Sequence, residues 1–276
     1  MPEGPEVRRE ARAIARALEG FPLARIDYRM TALADRARRL RGARIVDVAS
    51  RGKAMLIAFD AGLVHFSHNQ LYGEWRVVSP RALARLEAER GPSMRVVIAT
   101  ARRAAVLLSA TTVELLDASA VDAHPLLSRL GPDVLDRTTT VAMVRARLAS
   151  PAFARRSLAS LLLEQRFLAG PGNYLRSEIL HVARVHPAAR PCDLDADALD
   201  RLARATLAVP RQSLATGGVT NERALARALA DRGATFEERR FRAYGREGKP
   251  CWTCGTRIRR VDAGRAIYFC PRCQPR

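Results

Sequence analysis

Four residues near the C-terminal end of this sequence have types and spacing that specify chemistry by themselves. Cys251, Cys254, Cys270 and Cys273 follow the pattern C-x2-C-x15-C-x2-C. Each close pair forms a knuckle that directs two sulfurs at one point, so the two knuckles together complete a tetrahedral thiolate set for one zinc ion. Four protein ligands leave no position for water, and the expected role of the zinc is structural. Redox-active pairs would need a thioredoxin-like βαβ context, which is missing here. Between the knuckles the runs RIRRV and AIYF predict a hairpin turning at Asp262, Ala263 and Gly264. That hairpin carries Arg257, Arg259, Arg260 and Arg265, a basic face suited to phosphates. The fifth cysteine, Cys192, stands alone.

A second candidate lies at the other end, MPEGPEVRRE. A small second residue permits removal of the initiator methionine and leaves Pro2 as a secondary amine. Such an amine can attack an aldehyde-level carbon and form an iminium, as lysine does in Schiff-base enzymes. Its reference pKa is only about 7.7 to 8.0, and the positive end of a following helix disfavours a further positive charge. Glu3 is adjacent and can carry protons. A proline at this position does not by itself specify a catalyst.

Composition narrows the partner. Lys and Arg number 47 against 28 acids, a formal charge of +19 with pI near 11.2. This surplus captures polyanions. No basic amphipathic anchor with a bulky apolar face suggests a membrane surface instead. No apolar run is long enough to span a bilayer, and the N-terminus lacks the pattern of a secretory signal; a cytoplasmic protein is expected. Only two of the basic residues are lysines, Lys53 and Lys249. In so arginine-rich a chain, a retained lysine is a candidate for a task requiring a compact ammonium.

The elements that must position these groups follow from periodicity. Val7, Ala11, Ile14, Ala15 and Leu18 share one face of a helix over residues 4–19, stopped by Gly20. From Ile45 to about Leu116, short β-rich runs (IVDVAS, KAMLIAF, LVHFSH, EWRVVS, MRVVIAT, AVLLSA, TVELL) predict a sandwich or barrel, interrupted by a helix over PRALARLEAERG. HPLLSRLGPDVLD reads as a hinge. Helices are expected over 141–149, 155–167, 173–184, 195–208 and 222–231. Between the second and third, Gly170, Pro171 and Gly172 permit a sharp turn, and Asn173 sits where an N-cap belongs. A helix N-terminus so exposed attracts phosphate.

Taken together, PEGPEV, the Gly52-Lys53 pair, HNQLYGEWRVV, GPDVLD, FLAGPGNYLR and the terminal ribbon resemble the Fpg/Nei family of DNA glycosylases from end to end, with the endonuclease VIII (Nei) branch as the nearer pattern. The resemblance implies an α+β fold: an N-terminal helix with a β-sandwich domain (1–123), a hinge (124–138), a helix–two-turn–helix domain (139–235) and a zinc ribbon (236–276). It implies a bifunctional glycosylase/AP lyase that removes oxidised pyrimidines and cuts the strand by β,δ-elimination. The alternatives are an Fpg-type enzyme for oxidised purines and an inactive DNA-binding homologue.

The resemblance makes Pro2 the nucleophile at C1′ and Glu3 the general acid/base. Lys53 and Arg265 join the catalytic set as phosphate contacts beside the lesion, Arg265 also supporting strand cleavage, and Asn173 becomes a grip on the DNA backbone. Gln70, Leu71 and Tyr72 become the wedge that fills the gap left by a flipped nucleotide. The implied partner is double-stranded DNA with oxidised bases or abasic sites, bound by a nucleoid-associated monomer holding one structural zinc. The stretch from Thr216 to Cys251 departs from the pattern. It is longer than the Nei branch and nearer Fpg in length, without an evident Fpg-like base-capping loop.

Overall fold

The computed structural model describes residues 2–70 and 72–276. The chain divides into two compact units, Met1–Arg129 and Leu130–Arg276. The first is built from two antiparallel four-stranded sheets and an N-terminal helix; the second is helical and ends in a two-stranded hairpin with the four cysteines.

Helix α1 (Gly4–Leu18) starts at Glu3, whose N–H donates to the Glu6 carboxylate at 3.1 Å, and Pro5 occupies the first turn, where a missing N–H costs nothing. It ends before Gly20, which takes the left-handed conformation at φ 77°. Its apolar face, Val7, Ala11, Ile14 and Leu18, is buried against both sheets.

One sheet runs β2 (Ile45–Arg51), β3 (Ala54–Phe59), β4 (Leu63–His68), β8 (Thr112–Asp117). The other runs β1 (Arg25–Tyr28), β6 (Met94–Ala99), β7 (Ala104–Leu108), β5 (Glu74–Val78). Ile45, Met55, Ile57 and Leu63 of the first sheet join Val96, Ile98, Ala105 and Leu107 of the second in one core. A short helix α2 (Ala34–Arg38) follows β1, and on the outer face of the second sheet Leu83 and Leu86 of α3 (Pro80–Arg90) cover Met94, Val97, Ala99, Ala104, Val106 and Leu108. Strands β6 and β7 are therefore buried on both faces, which explains why they read as continuous apolar runs instead of alternating ones. The sequence-derived expectation omits β1, an edge strand of four residues whose partner β6 lies about seventy residues on, as Ile26↔Ile98 shows.

The second unit contains α4 (Val141–Ala149), α5 (Leu158–Leu161), α6 (Asn173–Ala183), α7 (Ala196–Ala215), α8 (Arg223–Asp231) and α9 (Phe236–Arg239), then β9 (Arg259–Ala263) and β10 (Arg265–Phe269). Two helix expectations need correction. The helix expected over 155–167 is a single turn, α5. The backbone N–H groups of Leu158 and Ala159 are spent on the carbonyls of Ala189 and Pro187, so the helix does not start earlier, and the Ala159 carbonyl goes to Arg176 while the Leu163 N–H turns to Ser160, so it does not run on. Conversely, α7 runs on through Pro210 to Ala215, where the sequence suggests an end at Ala208. Val209, Pro210 and Ser213 continue its buried face, and that burial offsets the hydrogen bond lost at proline. The 216–251 stretch folds into α8 and α9, with Thr235 and Glu238 forming a capping box.

Candidate functional site

In the first unit, Pro2 is half-buried immediately before α1, and Glu3 is only 1% exposed at its N-cap position. Both sit at the positive end of the helix, where a protonated amine is disfavoured and a carboxylate is stabilised. Arg8, one turn along, donates to the Ser50 hydroxyl at 2.6 Å and to the Ser50 carbonyl at 3.0 Å. That fastens the start of α1 to the end of β2, three residues from Lys53. Lys53 lies in the tight β2–β3 turn, where Gly52 takes φ 59°. Ala54 pairs with His68 across the sheet, so the ammonium stands close to the end of β4. Burial, followed by the nearby Lys53 charge, lowers the His68 pKa.

Just past His68 comes the turn carrying Gln70 and Tyr72; Leu71 lies outside the described residues. The turn is tight. The Gly73 N–H donates to the Asn69 carbonyl at 2.8 Å, and a β-carbon on Gly73 would come within 2.6 Å of that oxygen, so only glycine fits. Gln70 is held at φ 48°, a strained value for a residue with a side chain. Its amide donates to Thr112 Oγ1 at 3.3 Å. Tyr72 is 80% exposed, a large ring offered to solvent at the tip of a constrained turn.

In the second unit the arrangement centres on a residue that the sequence reading passed over. Arg176, in the middle of α6, is fully buried. Its guanidinium donates to the Ala159 carbonyl at 2.8 Å and to Asn173 Oδ1 at 2.6 Å. It also donates to the carbonyls of Arg265 and Ala266 at 2.9 and 3.0 Å. One planar fork thus occupies the oxygen of Asn173, leaving its NH2 as a donor, and anchors the start of β10, where the Arg265 side chain is exposed. Asn173 is not the N-cap expected from the sequence. Gly172 takes that place, and Asn173 is the first helical residue because its side-chain oxygen is engaged by Arg176 one turn on. Gln165 shapes the preceding turn, accepting from the Gly170 N–H at 3.0 Å and donating to the Pro171 carbonyl at 2.8 Å.

Glu178, the next buried ion of α6, accepts from Thr220 Oγ1 at 2.5 Å and from the backbone N–H groups of Arg242, Ala243 and Tyr244 at 2.8 to 2.9 Å. Four donors offset the cost of burying its charge. The segment entering the cysteine cluster is thereby tied to the same helix that presents Asn173.

The four cysteine sulfurs lie within 4.8 Å of one another and could hold one metal ion. Cys251 and Cys273 are 3.9 Å apart, Cys254 and Cys270 3.4 Å. A side-chain bond from Thr256 draws the Cys254 thiol down to about 6, whereas burial pushes Cys270 and Cys273 up. His181, also on α6, places Nε2 3.4 Å from Cys251 Sγ, and Gln274 ties the last knuckle to the Val185 carbonyl at 2.9 Å. Arg257, Arg259, Arg260 and Arg265 are all exposed along the hairpin.

Known proteins share this organisation. Residues 1–112 match the model of the formamidopyrimidine-DNA glycosylase N-terminal domain, and residues 130–224 that of the formamidopyrimidine-DNA glycosylase H2TH domain. Endonuclease 8 of Klebsiella pneumoniae is 42% identical over 275 residues, covering 99% of this chain and 100% of the relative. Endonuclease 8 of Escherichia coli matches to the same extent. Among solved structures, Lactococcus lactis Fpg in complex with DNA containing N7-benzyl-Fapy-dG superposes with a TM-score of 0.81 at 23% identity, over 100% of both chains. The complex of that protein with abasic-site DNA gives 0.81 at 23%, over 99% of this chain and 100% of the other. The solved structures share the fold, and the identity along the whole chain goes further: this protein belongs to the Fpg/Nei family of DNA glycosylases, on the endonuclease VIII side.

Proposed function

We propose that this chain is a bifunctional DNA glycosylase and AP lyase that removes oxidised pyrimidines from duplex DNA through an iminium on Pro2. The observation that carries the chemistry is the pairing of Pro2 with a buried Glu3 at the positive end of α1. The lone pair of the Pro2 nitrogen bonds C1′ of the damaged nucleotide while the glycosidic C–N bond breaks, its electrons leave with the base, and the Pro2 N–H proton passes to that base. Glu3 protonates the ring oxygen as the sugar opens, leaving the iminium between Pro2 and C1′. Loss of a C2′ proton then expels the 3′ phosphate, and a second elimination expels the 5′ phosphate. Hydrolysis of the remaining iminium returns Pro2.

Lys53 and Arg265 neutralise phosphates beside the lesion, and Asn173 donates its NH2 to the backbone. Gln70, Leu71 and Tyr72 occupy the gap in the stack. Folded DNA-binding elements follow the order helix–sandwich, hinge, helix–two-turn–helix, ribbon. No described helix is long and apolar enough to cross a membrane, and the +19 charge suits a DNA partner.

The metal we assign to the cysteine cluster is zinc, one per chain. In a regular ZnS4 tetrahedron with Zn–S near 2.3 Å the sulfurs sit roughly 3.8 Å apart, close to the spacings of 3.4 and 3.9 Å found here. All four ligands come from protein, so the ion holds the ribbon and takes no part in bond breaking.

Single-turnover excision decides the branch. Duplexes carrying thymine glycol are expected to be cut at least about tenfold faster than those carrying 8-oxoguanine, a difference of about 1.4 kcal/mol in transition-state free energy. The reverse order would make the chain an Fpg-type enzyme for purines.

The Arg176 fork supports a second expectation. Arg176→Met leaves Asn173 Oδ1 and the Arg265 carbonyl without their donor. Affinity for a duplex with a tetrahydrofuran abasic analogue, measured by fluorescence anisotropy, should fall about tenfold or more. Arg176→Lys should recover it only in part, because an ammonium cannot span the same acceptors. Unchanged binding by the Met variant would remove Arg176 from the interface.

A further inference from the structure

A carboxyl group outside the proposed catalytic set lies directly behind the 70–72 turn. Glu10 is on α1, two turns after Glu3, with its head directed at the base of the turn. The Asn69 amide donates from Nδ2 to Glu10 Oε2 at 3.0 Å, and the Trp75 backbone N–H faces the same carboxylate and favours its charged form. Asn69 closes β4 on the entering side and Trp75 belongs to β5 on the leaving side, so Glu10 is bonded to one stem of the turn and faces the other. A further link ties the same stems, from Trp75 Nε1 to Ser67 Oγ at 3.3 Å. Asn69 is 2% exposed, and its Oδ1 has no hydrogen-bond partner among the described residues, so the bond to Glu10 is what orients this buried amide.

We propose that Glu10 is the positioning residue of the wedge. Its carboxylate clamps both stems of the turn to α1, and so fixes Gln70 and Tyr72 relative to the helix that carries Pro2. This rests on reading the 70–72 turn as the wedge.

The turn needs such a clamp. Gln70 is held at φ 48° and the ring of Tyr72 is exposed, so neither conformation is maintained by packing. A wedge entering a base stack must keep its shape under load, and a charged acceptor bonded to Asn69 and facing the Trp75 N–H supplies stiffness without contacting DNA. The environment also sets when the clamp is charged. Burial raises the Glu10 pKa from the usual carboxylate range to about 7, the Trp75 N–H and the Asn69 amide oppose this, and the nearby carboxylates Glu6 on α1 and Glu74 on β5 add to it. The ionised form, the stronger acceptor, therefore takes over as pH rises through about 7.

The test separates the wedge from the chemistry. A duplex lesion requires the stack to be opened and filled, whereas an abasic site in a single strand has no stack to fill. Glu10→Ala and Glu10→Gln are compared with the wild-type protein in two assays: single-turnover excision of thymine glycol from a duplex, and borohydride trapping on a single-stranded abasic oligonucleotide. Glu10→Ala should lose about tenfold on the duplex and stay within about twofold on the single strand.

Glu10→Gln keeps an acceptor oxygen and should recover most of the duplex rate. The wild-type-to-Gln ratio of duplex rates should rise between about pH 6 and pH 8, while the single-strand ratio stays flat. Equal losses on both substrates would mean that Glu10 acts on α1 or on folding, and unchanged duplex excision would mean that the turn needs no clamp; either overturns the proposal. Wild-type protein that traps neither substrate would overturn the lyase reading itself, and the clamp with it.

Discussion

A form of the protein that retains Met1, so that the Pro2 nitrogen is part of a peptide bond, is expected to give no covalent adduct with abasic-site DNA under borohydride. Its trapping rate should fall at least about 1000-fold below that of the form with a free Pro2, because an amide lone pair is delocalised into the carbonyl and is not nucleophilic. Such a loss corresponds to about 4 kcal/mol of transition-state stabilisation. Binding to the tetrahydrofuran duplex should change much less, since the proposed phosphate contacts, Lys53, Asn173 and Arg265, lie elsewhere in the chain. An undiminished adduct would move the nucleophile to another amine. Lys53 and Lys249 are the only lysines, so Lys53→Gln and Lys249→Gln would then identify it. Substituting Glu3 by Gln in the free-Pro2 form should slow excision of an intact damaged base more than trapping at a preformed abasic site, where the base has already left.

Removing the metal is expected to have an effect of similar size by a different route. The ribbon's own buried cluster consists of Ala243, Ile258 and two of the cysteines, Cys251 and Cys270. So small a core cannot offset the conformational entropy of the segment, and metal binding must supply the folding free energy, about 10 to 16 kcal/mol for zinc in isolated finger peptides. Loss of the ribbon also leaves Arg176 without two of its carbonyl partners, and unties the 242–244 segment whose N–H groups surround the Glu178 carboxylate. Each is a buried ion, and breaking such an arrangement costs several kcal/mol, roughly 3 to 5. Chelation, or Cys270→Ser, should therefore abolish DNA cleavage and reduce binding at least about 100-fold.

The first unit should keep its fold, because its two cores contain no ribbon residue. Native-state hydrogen exchange checks this division: protection should persist across β3, β4, β6 and β7 while it is lost around β9 and β10. Metal-free protein that cuts at the normal rate would show that the ribbon has no part in the reaction.

How much of this was readable beforehand depends on how local the cause is. The cysteine knuckles were legible because two ligands three residues apart need only a turn to converge. Helix α1 and the apolar runs of β6 and β7 were legible because burial on one or both faces leaves a periodic record in the residues themselves. The PEGPEV start and GPGNYLR turn were legible as a resemblance, since a short motif survives in its linear order.

The misses share one physical reason. The 155–167 segment has apolar residues enough for a helix, but its N–H groups are claimed by carbonyls near residue 190. Strand β1 exists only because β6, far along the chain, supplies its partner. The Gly172-for-Asn173 exchange at the start of α6 traces to Arg176 taking the asparagine oxygen. The burial of Arg176 and Glu178 leaves no local pattern, because most of their partners are carbonyls and N–H groups 64 to 90 residues away. Glu10 is a similar case: its nearest partner, Asn69, is 59 residues distant.

The sequence by itself determined which groups this protein has for chemistry: a proline near the start with a carboxylate beside it, four cysteines spaced for one ion, and a strongly basic charge suited to DNA. Tertiary structure decided how these groups are held. Buried ions must find opposite partners wherever the fold brings them, and a local pattern of residue types carries no record of which distant backbone will arrive.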